Sequence, residues 1–202
     1  MSSERFLVGG LFAVGLAVLG TVALGPMVSP VMAQEDGPGP NLIIEVEGEA
    51  KGQIVIDMAS DAAPKHVAQI VALAKEGAYD NVVFHRVIEG FMAQTGDVKY
   101  GKAGGDLSMA GMGGSDMADL PAEFSNLSFD RGVVGMARSM DPNSANSQFF
   151  IMFAPAPHLD GQYTVVGRVI SGMEVVDAIK RGEGANGEVA GPDLMTKVTV
   201  QE

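Results

Sequence analysis

The chain has no cysteine and no tryptophan, and among its 202 residues 13 Lys and Arg stand against 25 Asp and Glu. Without thiols it can form no disulfide, no thiolate nucleophile and no cysteine-ligated zinc or iron–sulfur site. A formal charge of -12 sets it against phosphate backbones and anionic lipid, so no nucleic-acid partner is expected. There is no Gly-x-Ser-x-Gly elbow, and His66, His85 and His158 are the only imidazoles, which leaves Ser-His hydrolysis with little support. His-Glu-x-x-His and EF-hand patterns are absent, and Gly101-Lys102-Ala103 lacks the hydroxyl residue of a P-loop. Met109, Met112 and Met117 carry soft sulfur that suits Cu(I), but packing of a loose loop is the simpler reading. Neither a metal nor another cofactor is therefore expected.

What is present points to one exported globular domain. Apolar residues make up 47% and charged residues 19%, which excludes a disordered chain, and 27 glycines imply many turns. Arg5 precedes an uncharged run over residues 6–25, and Pro26 and Pro30 break it. Val31-Met32-Ala33 then resembles a small-x-small cleavage site, so residues 1–33 read as a signal peptide. The competing reading is an uncleaved anchor, because about twenty apolar residues would cross a bilayer core of roughly 30 Å. Either way the remainder crosses the membrane, and a periplasmic location is expected. Residues 34–40 hold no apolar side chain to bury and read as a flexible leader, with the domain over 41–202.

Strand signals recur along that domain. Runs at 42–46 and 53–58 flank a turn-rich stretch of hairpin length, and further strands fit 82–87, 91–94, 132–137, 148–153, 163–170 and 194–200. Asp61 is placed to cap a helix with Pro64 in its first turn. Its apolar positions, Val67, Ile70, Val71 and Ala74, recur at spacings of three and four until Gly77. A second helix fits 173–181. Eight short strands and just two helices suggest a mostly-β fold, a closed or nearly closed antiparallel barrel rather than a parallel α/β sheet. Residues 101–119, rich in Gly and Met, read as a long surface loop.

One segment is chemically unusual. From Phe84-His85-Arg86-Val87-Ile88 to Gln94, Gly96 and Asp97 it sets a cation and polar groups among large apolar side chains, and strand alternation can turn Arg86 and selected neighbours to one surface. This segment, together with Gly135-Met136-Ala137 through Asn146-Ser147-Gln148-Phe149-Phe150-Ile151, and with Leu159-Asp160-Gly161-Gln162-Tyr163-Thr164-Val165-Val166-Gly167, resembles the cyclophilin-type peptidyl-prolyl isomerases over essentially residues 41–200.

The resemblance implies an eight-stranded antiparallel β-barrel capped by two α-helices, consistent with the strand count. It implies that Arg86 is the catalytic arginine and that Phe91, Met92, Phe150 and Leu159 wall a proline pocket. Gln94 and Gln148 would be polar substrate contacts, and Ala137 and Arg138 would lie at the rim beside the peptide backbone. His85 matches the family's structural histidine next to the site. Three positions depart from the common pattern: Glu89 stands where many members have Pro, His158 where some have Trp, and Tyr163 where some have His. His158 and Tyr163 are still counted among the substrate-binding residues. The implied partners are proline-containing unfolded or partly folded polypeptides, turned over by a monomer without a cofactor. The alternative is a non-catalytic proline-peptide-binding module or holdase that uses the same groove.

Overall fold

The computed structural model describes Met1 and residues 35–202; the predicted export segment and its cleavage point fall outside the described residues. The elements are β1 (Asn41–Glu47), β2 (Gly52–Met58), α1 (Pro64–Lys75), β3 (Val82–Val83), β4 (Arg86–Ile88), β5 (Met92–Thr95), β6 (Val133–Met136), β7 (Phe149–Met152), a 3-10 turn (Pro157–Leu159), β8 (Val165–Ser171), α2 (Met173–Ala178) and β9 (Leu194–Gln201). Among the described residues the expectation of a mostly-β fold with two α-helices holds. The sheet is antiparallel throughout, in the order β3-β9-β1-β2-β8-β6-β7-β5-β4.

Among the described residues nine strands replace the expected eight because the run predicted at 82–87 divides. Val82 and Val83 pair with Met195 and Leu194 of β9, whereas Arg86 pairs with Gln94 of β5. Between them the Phe84 N–H goes to the Asp193 carbonyl and the Val87 N–H to the Gly187 carbonyl, so residues 84–85 leave one strand neighbour before meeting the other. The two ends of the sheet order are consecutive in the chain, separated by Phe84 and His85 alone. The sheet therefore curls, its two edge strands joined by this dipeptide but not hydrogen-bonded to each other, so that the expected barrel is a curled half-barrel.

Both helices also depart from their predicted ends. Asp61 does not cap α1: the N-cap is Ala63 and makes no side-chain bond. Its orphan N–H groups are met from far along the chain, where the Glu123 carboxylate accepts from the Lys65 and His66 amides at 3.1 Å each and from His66 Nδ1 at 2.7 Å. Helix α2 stops at Ala178 rather than 181, because the buried Asp193 carboxylate captures the Lys180 N–H at 2.7 Å and Ile179 is already extended. The same carboxylate accepts from Glu49 and Ala50, so one anion ties the β1–β2 turn to the end of α2.

Strand alternation builds two apolar layers. Leu42, Ile44, Ile54, Ile56, Val166 and Val198 fill the interior of the curl together with α1 residues Val67, Ile70 and Leu73. Along β7 the pattern switches residue by residue: Phe149 and Ile151 point into that interior, and Phe150 and Met152 point the other way. Outside the curl, Met92, Phe129, Phe150, Leu159 and Val165 form a separate cluster, and the candidate site stands on it.

Candidate active site

Three adjacent strands carry the floor of the site. β5 lies between β4 and β7, with Arg86 opposite Gln94 and Gln94 opposite Phe150. Their side chains share the outer face, and a cavity of about 180 Å³ opens there. Phe91, Met92, Phe150 and Leu159 supply its apolar walls; Arg86 and Gln94 line one side, and Ala137, Arg138 and Tyr163 the other. Nine of the residues expected at the site thus meet in one cavity.

The remaining three are arranged around it. Gln148 lines a neighbouring recess and reaches the cavity through Gln94, whose Nε2 donates to Gln148 Oε1 at 2.9 Å. His158 stacks on the Phe91 ring with centroids 6.0 Å apart. His85 is turned from the cavity and lines a different one, with both ring nitrogens buried and without a hydrogen-bond partner. Burial pulls the His85 pKa down, and the Asp97 carboxylate opposes that shift.

Arg86 is half-buried and held at two points. Nε donates to the Asn186 carbonyl at 2.9 Å, and Nη1 donates to Gln94 Oε1 at 3.1 Å and lies 3.9 Å from Met92 Sδ. Among the described residues it forms no ion pair and Nη2 has no acceptor. Desolvation lowers its pKa from the ordinary arginine value, with Tyr163 acting in the opposite direction. A guanidinium remains protonated in proteins, so the arrangement presents a permanent cation with free donors to an apolar socket.

The socket's aromatic wall depends on a residue with no side chain. Phe150 stacks on Phe129 at 5.8 Å and meets Tyr163 edge-on at 5.9 Å. On β6, opposite Phe150, a Cβ at Gly135 would lie 2.6 Å from both Phe129 Cε1 and Phe150 Cζ. Arg138 covers the outer ring, its guanidinium carbon 4.2 Å above the Tyr163 centroid, while Nη2 donates to the Gln162 carbonyl.

Sequence reasoning missed the parts that hold these groups. The fully buried Asp97 carboxylate accepts four backbone N–H groups, from Lys99 and Tyr100 at Oδ1 and from Gly111 and Gly113 at Oδ2. Gln148 Nε2 donates to the Gly111 and Gly113 carbonyls at 3.0 and 2.7 Å. The stretch 101–119 holds no helix or named strand, as expected of a loop, but its middle is clamped between an anion and an amide. Asn186, which orients Arg86, comes from a segment a hundred residues further on.

A protein-family model described as cyclophilin type peptidyl-prolyl cis-trans isomerase/CLD matches residues 42–200. The chain belongs to the cyclophilin-type peptidyl-prolyl cis-trans isomerases. It is 60% identical over 153 residues to a probable peptidyl-prolyl cis-trans isomerase of Brucella suis biovar 1, covering 74% of this chain and 78% of that one. With peptidyl-prolyl cis-trans isomerase CYP18-1 of Arabidopsis thaliana the identity is 39% over 137 residues, 68% of this chain and 82% of the relative. Among solved structures, a Cryptosporidium parvum cyclophilin type isomerase crystallised in the presence of the dipeptide Ala-Pro superimposes with a TM-score of 0.69. That match is 25% identical and covers 80% of this chain and 99% of the other. A cyclophilin from Hirschia baltica gives a TM-score of 0.67 at 26% identity, over 81% of this chain and 74% of that one. The cyclophilin cavity described above lies wholly within the matched region.

Proposed function

We propose that this cyclophilin accelerates rotation about X–Pro bonds of unfolded or partly folded polypeptides by binding the twisted imide through Arg86, with no covalent intermediate. An X–Pro bond resists rotation because planarity delocalises the nitrogen lone pair, with a barrier of roughly 18–20 kcal/mol. Halfway round, the delocalisation is lost and the prolyl nitrogen regains a localised lone pair. A guanidinium N–H directed at that nitrogen makes a charge-assisted hydrogen bond that neither planar isomer can accept as well. Such a bond favours the transition state over both ground states, which is the requirement for catalysis.

The site's composition supports this reading at each point. Phe91, Met92, Phe150 and Leu159 suit a prolyl ring in size and polarity. With the ring held, rotation is confined to the acyl side, where Gln94 and the rim at Ala137 and Arg138 are available to the peptide backbone. Arg86 needs no large reorganisation, since Asn186 and Gln94 already fix its plane, and partial burial strengthens any bond it makes. The Ala-Pro dipeptide named with the Cryptosporidium relative is the minimal form of such a ligand. The uncharged run over 6–25 and Val31-Met32-Ala33 support action outside the cytoplasm, on exported chains.

The observation that carries the proposal is a guanidinium that forms no ion pair among the described residues, on the wall of a proline-sized socket built from Phe91, Met92, Phe150 and Leu159. Exchange spectroscopy on a proline-containing peptide tests it. Catalytic amounts of the chain should bring cis and trans resonances into exchange, and Arg86→Ala should abolish the effect while peptide binding persists. Equal acceleration by the variant would refute the role of Arg86.

A further inference from the structure

We propose that the cavity on the far side of Arg86 is a second side-chain subsite, which takes a bulky apolar residue of the client within two positions of its proline. The proposal rests on the isomerase reading above and extends it to substrate preference.

This cavity has a volume of about 600 Å³, against about 180 Å³ for the proline socket, and the two share Arg86 and Gln94 as a common wall. Consecutive residues of an extended chain advance by about 3.3–3.6 Å, so a polypeptide whose prolyl nitrogen meets Arg86 passes that wall within one or two residues. Beyond it the lining is mixed: the apolar Leu107, Ala110 and Met112 from one loop and Val189, Ala190 and Pro192 from another stand beside Ser108, Asn186 and Glu188. A cavity of this size and character is of the kind that buries a ligand group.

The walls are built in advance. Asp97 and Gln148 clamp the backbone at Gly111 and Gly113 beside Met112, and Val189 is buried, with its N–H bonded to the His85 carbonyl. Met112 by contrast is 75% exposed, a flexible, polarisable thioether at the cavity's mouth with nothing covering it. A methionine so placed can fold over aliphatic and aromatic side chains of different shape. Glu188 is the lone carboxylate in the lining; with the Arg86 guanidinium engaged at the prolyl nitrogen, Glu188 and the chain's charge of -12 turn the same cavity against acidic residues. The class of occupant is therefore Leu, Phe, Met or a similar side chain, with Asp and Glu disfavoured.

The full chain is assayed with proline peptides that carry Ala, Leu, Phe or Glu at the positions flanking the proline, alongside Ala190→Trp, which fills the cavity from its exposed edge, and Met112→Ser, which removes its cover. Wild type should favour the Leu or Phe peptide over the Ala peptide by about tenfold at one flank, mainly through KM, consistent with burying one large apolar side chain. Both variants should turn over the Ala peptide at the wild-type rate and lose most of that preference. Titration followed by amide chemical shifts should move Leu107, Met112 and Val189 with the Leu peptide and not with the Ala peptide. Turnover of the Ala peptide with no preference at either flank, or a preference that survives Ala190→Trp, overturns the subsite and leaves the isomerase reading intact. Should no peptide be turned over, the isomerase reading fails, and the shifts alone decide the subsite: an unmoved Leu107–Met112 loop overturns it.

Discussion

Arg86 Nη1 donates to Gln94 Oε1 at 3.1 Å across the β4–β5 ladder, and Gln94 passes the contact to Gln148 at 2.9 Å. The cation is thus aimed by neutral amides rather than by a carboxylate. A carboxylate in that place would hold the guanidinium in an ion pair and compete with the weakly basic imide nitrogen; an amide orients it and leaves its charge unspent.

Arg86→Ala should lower kcat/KM for a proline peptide by about 10²–10³-fold, the range found when one preorganised donor to developing charge is removed. Arg86→Lys should recover little, because a point charge on a flexible stem can satisfy neither Asn186 nor Gln94 with the geometry of Nε and Nη1. Line-shape analysis of cis and trans resonances checks both variants, and thermal melts should find both as stable as wild type.

Gly135→Ala should damage the socket without touching any polar group. The added Cβ meets two aromatic rings at 2.6 Å, and neither Phe129 nor Phe150 can withdraw without disturbing their mutual stack and their edge-on packing against Tyr163. Overpacking of this kind costs about 1–3 kcal/mol. A lower denaturation midpoint together with a raised KM for every proline peptide is expected; an unchanged KM would mean that the aromatic wall does not shape the binding site.

Stability should depend on His85 in the acid range. Burial lowers its folded pKa below the unfolded value of about 6.5, so the unfolded chain binds the proton more tightly. The contribution of the neutral ring is complete above that pH and is lost as the pH falls from there toward the folded value. Urea denaturation of wild type and His85→Gln between about pH 7.5 and pH 5 measures the effect. Wild type should lose stability faster than the variant on acidification, and parallel curves would show that His85 does not titrate between the two states.

The candidate site residues were legible through the resemblance of three segments to a family, and nine of them line one cavity. Strand period accounts for the facing, which puts Met92 and Gln94 on one side of β5 and turns Phe150 opposite to Phe149 and Ile151, whereas the register that sets Arg86 against Gln94 is not fixed by period. The division of the 82–87 run was not readable, since both halves favour extended backbone and only their different partners, β9 and β5, separate them. Nor was the Glu123 cap of α1, which is supplied from 57 residues away and leaves Asp61, a good local candidate, unused. The support for Arg86 from Asn186 is of the same kind: a backbone carbonyl carries no side-chain signature.

Asp97 shows how far such hidden support extends. Its carboxylate is completely buried, yet the four backbone N–H groups around it satisfy both oxygens without a cation. Asp97→Asn keeps the shape and replaces one acceptor oxygen with an NH₂ group that faces backbone donors. Two bonds are lost at that end, and leaving buried N–H groups unmet costs about 1–3 kcal/mol. If the amide turns toward Gly111 and Gly113, that loop is released from Asp97 and its backbone bears on Gln148, which also contacts Gln94 and, through it, Arg86. Faster hydrogen exchange at the Gly111 and Gly113 amides should therefore accompany a fall of several-fold in kcat, with KM for an Ala-flanked peptide much less affected. A variant that loosens the loop but keeps wild-type kcat would mean that Arg86 is held by Asn186 and its own strand alone.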